Sequence, residues 1–167
     1  MSLPDLETNG LYVVLHIRND PPLPNDFHWG FYLHKHPKEG GVKYHVREEG
    51  SNGWIADHGP TAGVMKSVLL VGLFRIADVP VEYEGLLDET MRSYDGILNS
   101  TPGIRCSAWV RWTLALLQKG AGGTRILKCD DLEALVAEIK AWGNSHAMNA
   151  ALNIQPRPLA VSTLCGL

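Results

Sequence analysis

The apolar period of this chain changes once, near residue 80, and that change restricts the fold more than any other feature. Before it, apolar side chains alternate. The stretch "FHWGFYLH" (27–34) puts Phe27, Trp29, Phe31 and Leu33 on one face and His28, Gly30, Tyr32 and His34 on the other. This is the two-residue period of a strand with one face in a core. Beyond residue 80, apolar residues recur at three and four: Leu86, Leu87, Met91 and Tyr94, then Trp109, Trp112 and Leu116, then Leu132, Leu135, Val136 and Ile139. That spacing predicts amphipathic helices. Strands first and helices later, without βαβ alternation, predict an α+β fold with a mainly antiparallel sheet packed against helices.

Local signals sharpen this outline. "LYVVLHIR" (11–18) reads as a strand that leaves into the turn-forming "NDPPLPND". After "FHWGFYLH", the turn "HPKEGG" sends the chain back through "VKYHVRE", with Tyr44 and Val46 on one face and Lys43, His45 and Arg47 on the other. "GWIADHG" and "VMKSVLLVGLFRIA" add two strands, a short helix over 61–70 being the alternative for the start of the second. "EYEGLLDETMRSYDGIL" and "CSAWVRWTLALLQKG" read as helices, the latter stopped by Gly120. "TRILKC" predicts a last short strand, and Asp130 or Asp131 caps the helix "LEALVAEIKAWGNSHAMNAAL". At 167 residues the chain is the size of one domain, 1–167, with residues 1–10 and 154–167 expected to be extended ends.

Fifteen Lys and Arg against 18 Asp and Glu give a net charge of -3 and a pI near 6.1, so no general pull toward nucleic acid or anionic lipid is expected. A small-molecule substrate fits better. Three widely spaced cysteines, Cys106, Cys129 and Cys165, form no CxxC pair, which argues against a disulfide framework or a zinc knuckle. "MSLPDLETNG" has acids and a proline where a secretion signal needs a basic start and an apolar run, and no stretch is long enough for a membrane span. Cys165 is third from the end, one place away from the prenylation pattern. The expectation is a cytoplasmic protein with no membrane span; the oligomeric state is not legible.

Cys106 follows the turn-forming "NSTPGIR" and opens an apolar helical run, so its thiol should lie at a helix N-terminus, where free N–H groups favour the nucleophilic thiolate. A small buried apolar residue is the plain alternative. A cysteine nucleophile needs an imidazole to take its proton and a third group to orient that imidazole. His28, with His45 on the returning strand, offers both; His34, His36 and His58 flank loops and read as surface or satisfied side chains. His34 and His36 share strand parity and, with His28 or the Asp57–His58 pair, form a weak metal-ligand pattern, so no metal is expected. The glycines of "KGAGGTR" follow a helix and lack the GK[ST] ending of a phosphate loop. Arg105 and Arg111 flank the helix start; Arg105 is the candidate for a substrate carboxylate, and Arg111 reads as a solvated helix face. Trp109 reads first as core and alternatively as an aromatic wall for an acyl group, and Tyr32 shares the face of His28 and offers a hydroxyl to an oxyanion.

Taken in order, "HWGFYL", then "KYHV", then "CSAWVRWTLALL" resembles the circularly permuted NlpC-type papain-like group, which includes lecithin retinol acyltransferase and small phospholipase/acyltransferases. The chain is also similar to small uncharacterised fungal proteins with the same His-Trp and cysteine-helix layout. The resemblance covers roughly residues 11 to 118. It implies that Cys106 is the nucleophile, His28 the general base and His45 the residue that orients it. Arg105 stands where the group commonly has an asparagine, and the hairpin between the histidines is longer. No apolar anchoring helix follows, which favours a small soluble substrate over a membrane lipid.

The sequence therefore predicts a cysteine-dependent hydrolase or acyltransferase, without a cofactor, acting on an amide, ester or thioester. Two alternatives stay open. One is a biosynthetic enzyme or cyclase using the histidines as acid and base with Cys106 only packing; the other is a catalytically silent ligand-binding module.

Overall fold

The computed structural model describes residues 2–167. Eight strands and three helices follow in order: β1 (Gly10–Ile17), β2 (Phe27–His36), β3 (Gly40–Tyr44), β4 (Val46–Glu48), β5 (Trp54–Ala56), β6 (Gly59–Thr61), β7 (Leu70–Asp78), α1 (Glu84–Met91), α2 (Cys106–Lys119), α3 (Leu132–Ala151) and β8 (Leu159–Val161). The main sheet runs β6-β3-β2-β1-β7-β8, antiparallel except for the β7–β8 pair, and β4 and β5 form a separate hairpin. The α+β expectation holds.

Alternation in the central strands works as read. Phe27, Trp29, Phe31 and Leu33 of β2 join Leu11, Val13, Leu15 and Ile17 of β1 in the large core that α2 and α3 complete. The opposite face carries a smaller cluster built on Tyr12, Val14, Tyr32, Leu70 and Leu73, closed by Leu6 and Val64. Gly143 lets α3 approach closely: a Cβ there would lie 2.7 Å from Leu15 and 3.0 Å from Phe27.

Helix ends follow local chemistry. Asp131 accepts a hydrogen bond from the Ala134 N–H at the start of α3, a cap worth about 1 kcal/mol. Gly120 ends α2 at φ 74°, where a Cβ would strike the Thr124 carbonyl.

Several expectations are corrected. The strand after the turn is not continuous: β3 ends at Tyr44, β4 begins at Val46, and His45 is the break between them. Residues 64–69 form turns, neither strand nor helix, so β7 starts only at Leu70. The helix read over 82–98 stops at Met91, and a 3-10 turn follows over Asp95–Ser100. The buried stripe of α2 is Cys106, Trp109, Val110, Thr113, Leu114 and Leu117, leaving Trp112 and Leu116 half-buried. "TRILKC" is irregular, with one isolated bridge between Ala121 and Thr124. The last strand lies instead in the C-terminal segment, as β8. That segment is anchored by the buried Arg157, whose guanidinium donates to the carbonyls of Ile154, Val68 and Ala150 and to Asn153 Oδ1.

Candidate active site

The site is built where β3 abandons β2. The pairing of β2 with β3 runs only as far as Phe31 and Tyr44. From there the chain turns across β2 at Gly30, where a Cβ would lie 3.1 Å from both His45 Cβ and the Tyr44 carbonyl oxygen. The missing side chain of Gly30 thus lets His45 settle beside His28: His28 Nε2 is 3.0 Å from His45 Nδ1, with the rings edge to face at 80°.

The β4–β5 hairpin then sets the next partner. Its pairing of Val46 with Ala56 continues into a bond from the Asp57 N–H to the His45 carbonyl, 2.9 Å, so Asp57 falls opposite His45. The Asp57 carboxylate reaches His45 Nε2 at 3.3 Å and accepts from Arg47 Nε at 2.9 Å. The Arg47 hydrogen bond is the main cause that holds the Asp57 carboxyl below the usual carboxylate range.

These distances determine the tautomers. A carboxylate only accepts, so His45 Nε2 carries the hydrogen that faces Asp57. His45 Nδ1 is then the acceptor, and His28 Nε2 donates to it. The remaining nitrogen of His28, Nδ1, is left with a free lone pair, which is the state required of a proton acceptor. Burial, helped by Lys43, pushes both imidazoles down to about 4, so both are neutral near pH 7.

A third histidine supports the first two from behind. His58 Nδ1 accepts the His45 backbone N–H at 3.1 Å, and its Nε2 donates to Asp95 at 3.0 Å. Its ring stacks on Trp109 at 27°.

Cys106 is the first residue of α2, with Arg105 as an extended N-cap whose side chain makes no capping bond. The first N–H groups of the helix have no partner within it. The thiol is 5 % exposed and donates to the carbonyl of Phe27, the residue before His28, at 3.8 Å. Cys106 and His28 line one cavity of about 610 Å³, whose other walls include Trp54, Ile104, Arg105 and Lys140.

The expected site residues therefore divide. Cys106, His28 and Arg105 share the cavity, and His45 stands directly behind His28. Tyr32 does not: it is fully buried in the second cluster, with its hydroxyl 2.8 Å from His34 Nδ1. Trp109 does not either, being fully buried against Phe31 and His58. Tyr32 fails because strand parity says which face a side chain takes but not whether that face is open. His34 and His36 are also separated, since the register shifts between them, His34 is sealed, and His36 accepts from the N–H groups of Lys38 and Glu39.

Asp57 and Gly30 are the residues that sequence reasoning missed. Gly30 had a signal, a glycine inside an otherwise bulky strand, which marks a close approach of another backbone. Asp57 had none, because its place depends on the β4–β5 pairing.

No curated protein and no solved structure matches the chain. A family model matches residues 9–141. All of the cluster just described, from His28 to Lys140, lies inside that span, and the chain belongs to DUF6914, a family of unknown function.

Proposed function

We propose that the protein is a cysteine-dependent acyl-transfer enzyme, a hydrolase or acyltransferase acting on an amide, ester or thioester, with the permuted papain-like arrangement that its His-Trp, second-histidine and cysteine-helix motifs resemble. The observation that carries this reading is the oriented series Asp57–His45–His28, which leaves His28 Nδ1 as an acceptor, together with the single cavity that His28 and Cys106 both line.

In this mechanism the thiol leaves the Phe27 carbonyl by rotation about its Cα–Cβ bond and gives its proton to His28 Nδ1 as sulfur attacks the carbonyl carbon. The oxyanion is stabilised by the free N–H groups at the start of α2. His28 returns the proton to the leaving group, which departs with the C–N, C–O or C–S bond that breaks, and a thioester remains on Cys106. Water or an acceptor nucleophile, deprotonated by His28, releases it. His45 and Asp57 hold the ring in its tautomer and stabilise the imidazolium while it exists.

The test is the rate of Cys106 alkylation by iodoacetamide as a function of pH, read by mass spectrometry in the native chain and in His28→Ala. Labelling of Cys106 that outpaces the buried Cys129 and Cys165 and slows in His28→Ala supports the pair; indifference to His28 removes it. One observation favours the acid/base reading, in which Cys106 only packs: the thiol is nearly buried and bonded to Phe27. Cys106→Ala separates the two, because it retains activity only if the histidines act alone.

A further inference from the structure

The cavity beside the thiol is bordered by more positive than negative side chains, and the positive ones differ in what they are doing. Arg18 faces Asp26 at 3.6 Å, and Arg47 is held by Asp57 and Glu49. Arg105 and Lys140 have no carboxylate within ion-pair distance among the described residues. Both line the main cavity, and both also line a second one of about 220 Å³, in which Ala108, Trp112 and Val136 supply apolar wall. The two cavities share Trp29, Arg105, Ser107 and Lys140, so they lie side by side with the two free cations between them; Arg111, paired with Glu133, also lines the second.

Unpaired cations are easily explained on an open surface, where water solvates them. Lys140, on α3, is half-buried, whereas Arg105, in the turn before α2, is exposed, so that explanation covers only one of the two. Two separate elements bring the cations to one cavity; of the two acids that also line it, Asp26 faces Arg18, and the exposed Glu48 pairs with neither cation. The open end of α2 adds positive potential on the same side but does not make the site.

We propose that Arg105 and Lys140 form an anion subsite for the substrate, which carries a carboxylate or phosphate close to its reactive carbonyl and an apolar part that enters the second cavity. This rests on the acyl-transfer reading of Cys106 and names the class of substrate that reading left open. Arg105 offers a planar, bidentate fork and Lys140 a point charge, a combination suited to an anion held from two sides.

The test compares two alkylating agents of similar size on Cys106: iodoacetate, which carries a carboxylate, and iodoacetamide, which is neutral. In the native chain at low salt, iodoacetate is expected to gain on iodoacetamide by about tenfold relative to the same pair of reagents on a free thiol, the lower end of what a cleft of opposite charge does to an on-rate. In Arg105→Gln/Lys140→Met the ratio of iodoacetate to iodoacetamide labelling falls to that of a free thiol; the ratio is the readout, because removing a cation next to Cys106 changes the rate with both reagents. Iodoacetamide labelling that depends on His28, without any preference for iodoacetate, overturns the anion subsite and leaves the nucleophile intact. A preference that survives the double substitution overturns it too. If neither reagent reacts faster at Cys106 than at the other cysteines, the acyl-transfer reading fails and the subsite fails with it. Protection of Cys106 by succinate or by inorganic phosphate tells a carboxylate substrate from a phosphate one, and protection by neither counts against the proposal.

Discussion

His28 and His34 lie on the same strand, on the same face, six residues apart, yet their environments have nothing in common. His34 is fully buried and bonded to the Tyr32 hydroxyl in a closed cluster. His28 borders a cavity of about 610 Å³, with a second imidazole behind it. The difference comes from β3. Along His34 it runs beside β2 as an ordinary partner; at Tyr44 it leaves, crosses at Gly30 and opens the end of the strand. What exposes His28 to a cavity is where the neighbouring strand stops, not the strand that carries it.

Acid tests what the two share, since burial pushes both imidazoles down. Burial is the main cause that holds His16 at about 3 and His28 and His45 at about 4, whereas the unfolded chain binds protons at the ordinary histidine value near 6.5. Below pH 6.5 the unfolded state therefore binds more protons, and stability falls as the pH drops toward 4. With three such groups the slope is expected to reach about 4 kcal/mol per pH unit. Urea midpoints at pH 7, 6 and 5 measure it, and His16→Asn should flatten it by removing one of the three protons; a flat profile would show that the three imidazoles are not sequestered.

Alkylation of Cys106 gives the next tests in descending size. His28→Ala should slow the reaction by about a hundredfold near pH 6, the low end of general-base contributions. His34→Gln should leave that rate unchanged and lower only the melting temperature. If both variants slow it equally, the two histidines are not distinct in the way described. Gly30→Ala should cost about tenfold, since its Cβ pushes His45 from its place by a few tenths of an ångström. Little loss of stability should accompany it. Asp57→Asn should cost least, about threefold, because the carboxylate is exposed and screened. An effect larger than that of Gly30→Ala would place the orientation of the pair in Asp57 rather than in the crossing.

How much of this was legible depended on the range of the interaction. The alternation of β2, the start of α2 at Cys106 and the Asp131 cap are local, and each was readable from a few neighbouring residues. The pairing of His28 with His45 was readable only as two residues of the right parity. The break at His45, the part played by Asp57 and the sealing of Tyr32 depend on which strands meet and where they part, which no short window of sequence contains; the burial of Trp109, by contrast, follows the core reading of its helix stripe. The same limit hid β8, a three-residue strand whose pairing with β7 lies more than eighty residues away.

The main sheet ends on two very short strands. β6 is three residues long and contains Pro60, and β8 is three residues long and lies at the opposite margin. Proline offers no N–H, and three residues present too few backbone groups to template another chain. The long apolar strands β1, β2 and β7 therefore each have a partner on both sides along at least part of their length, and a sheet this rich in Val, Leu and Phe offers little continuous edge for the association that would otherwise turn it into a seed for aggregates.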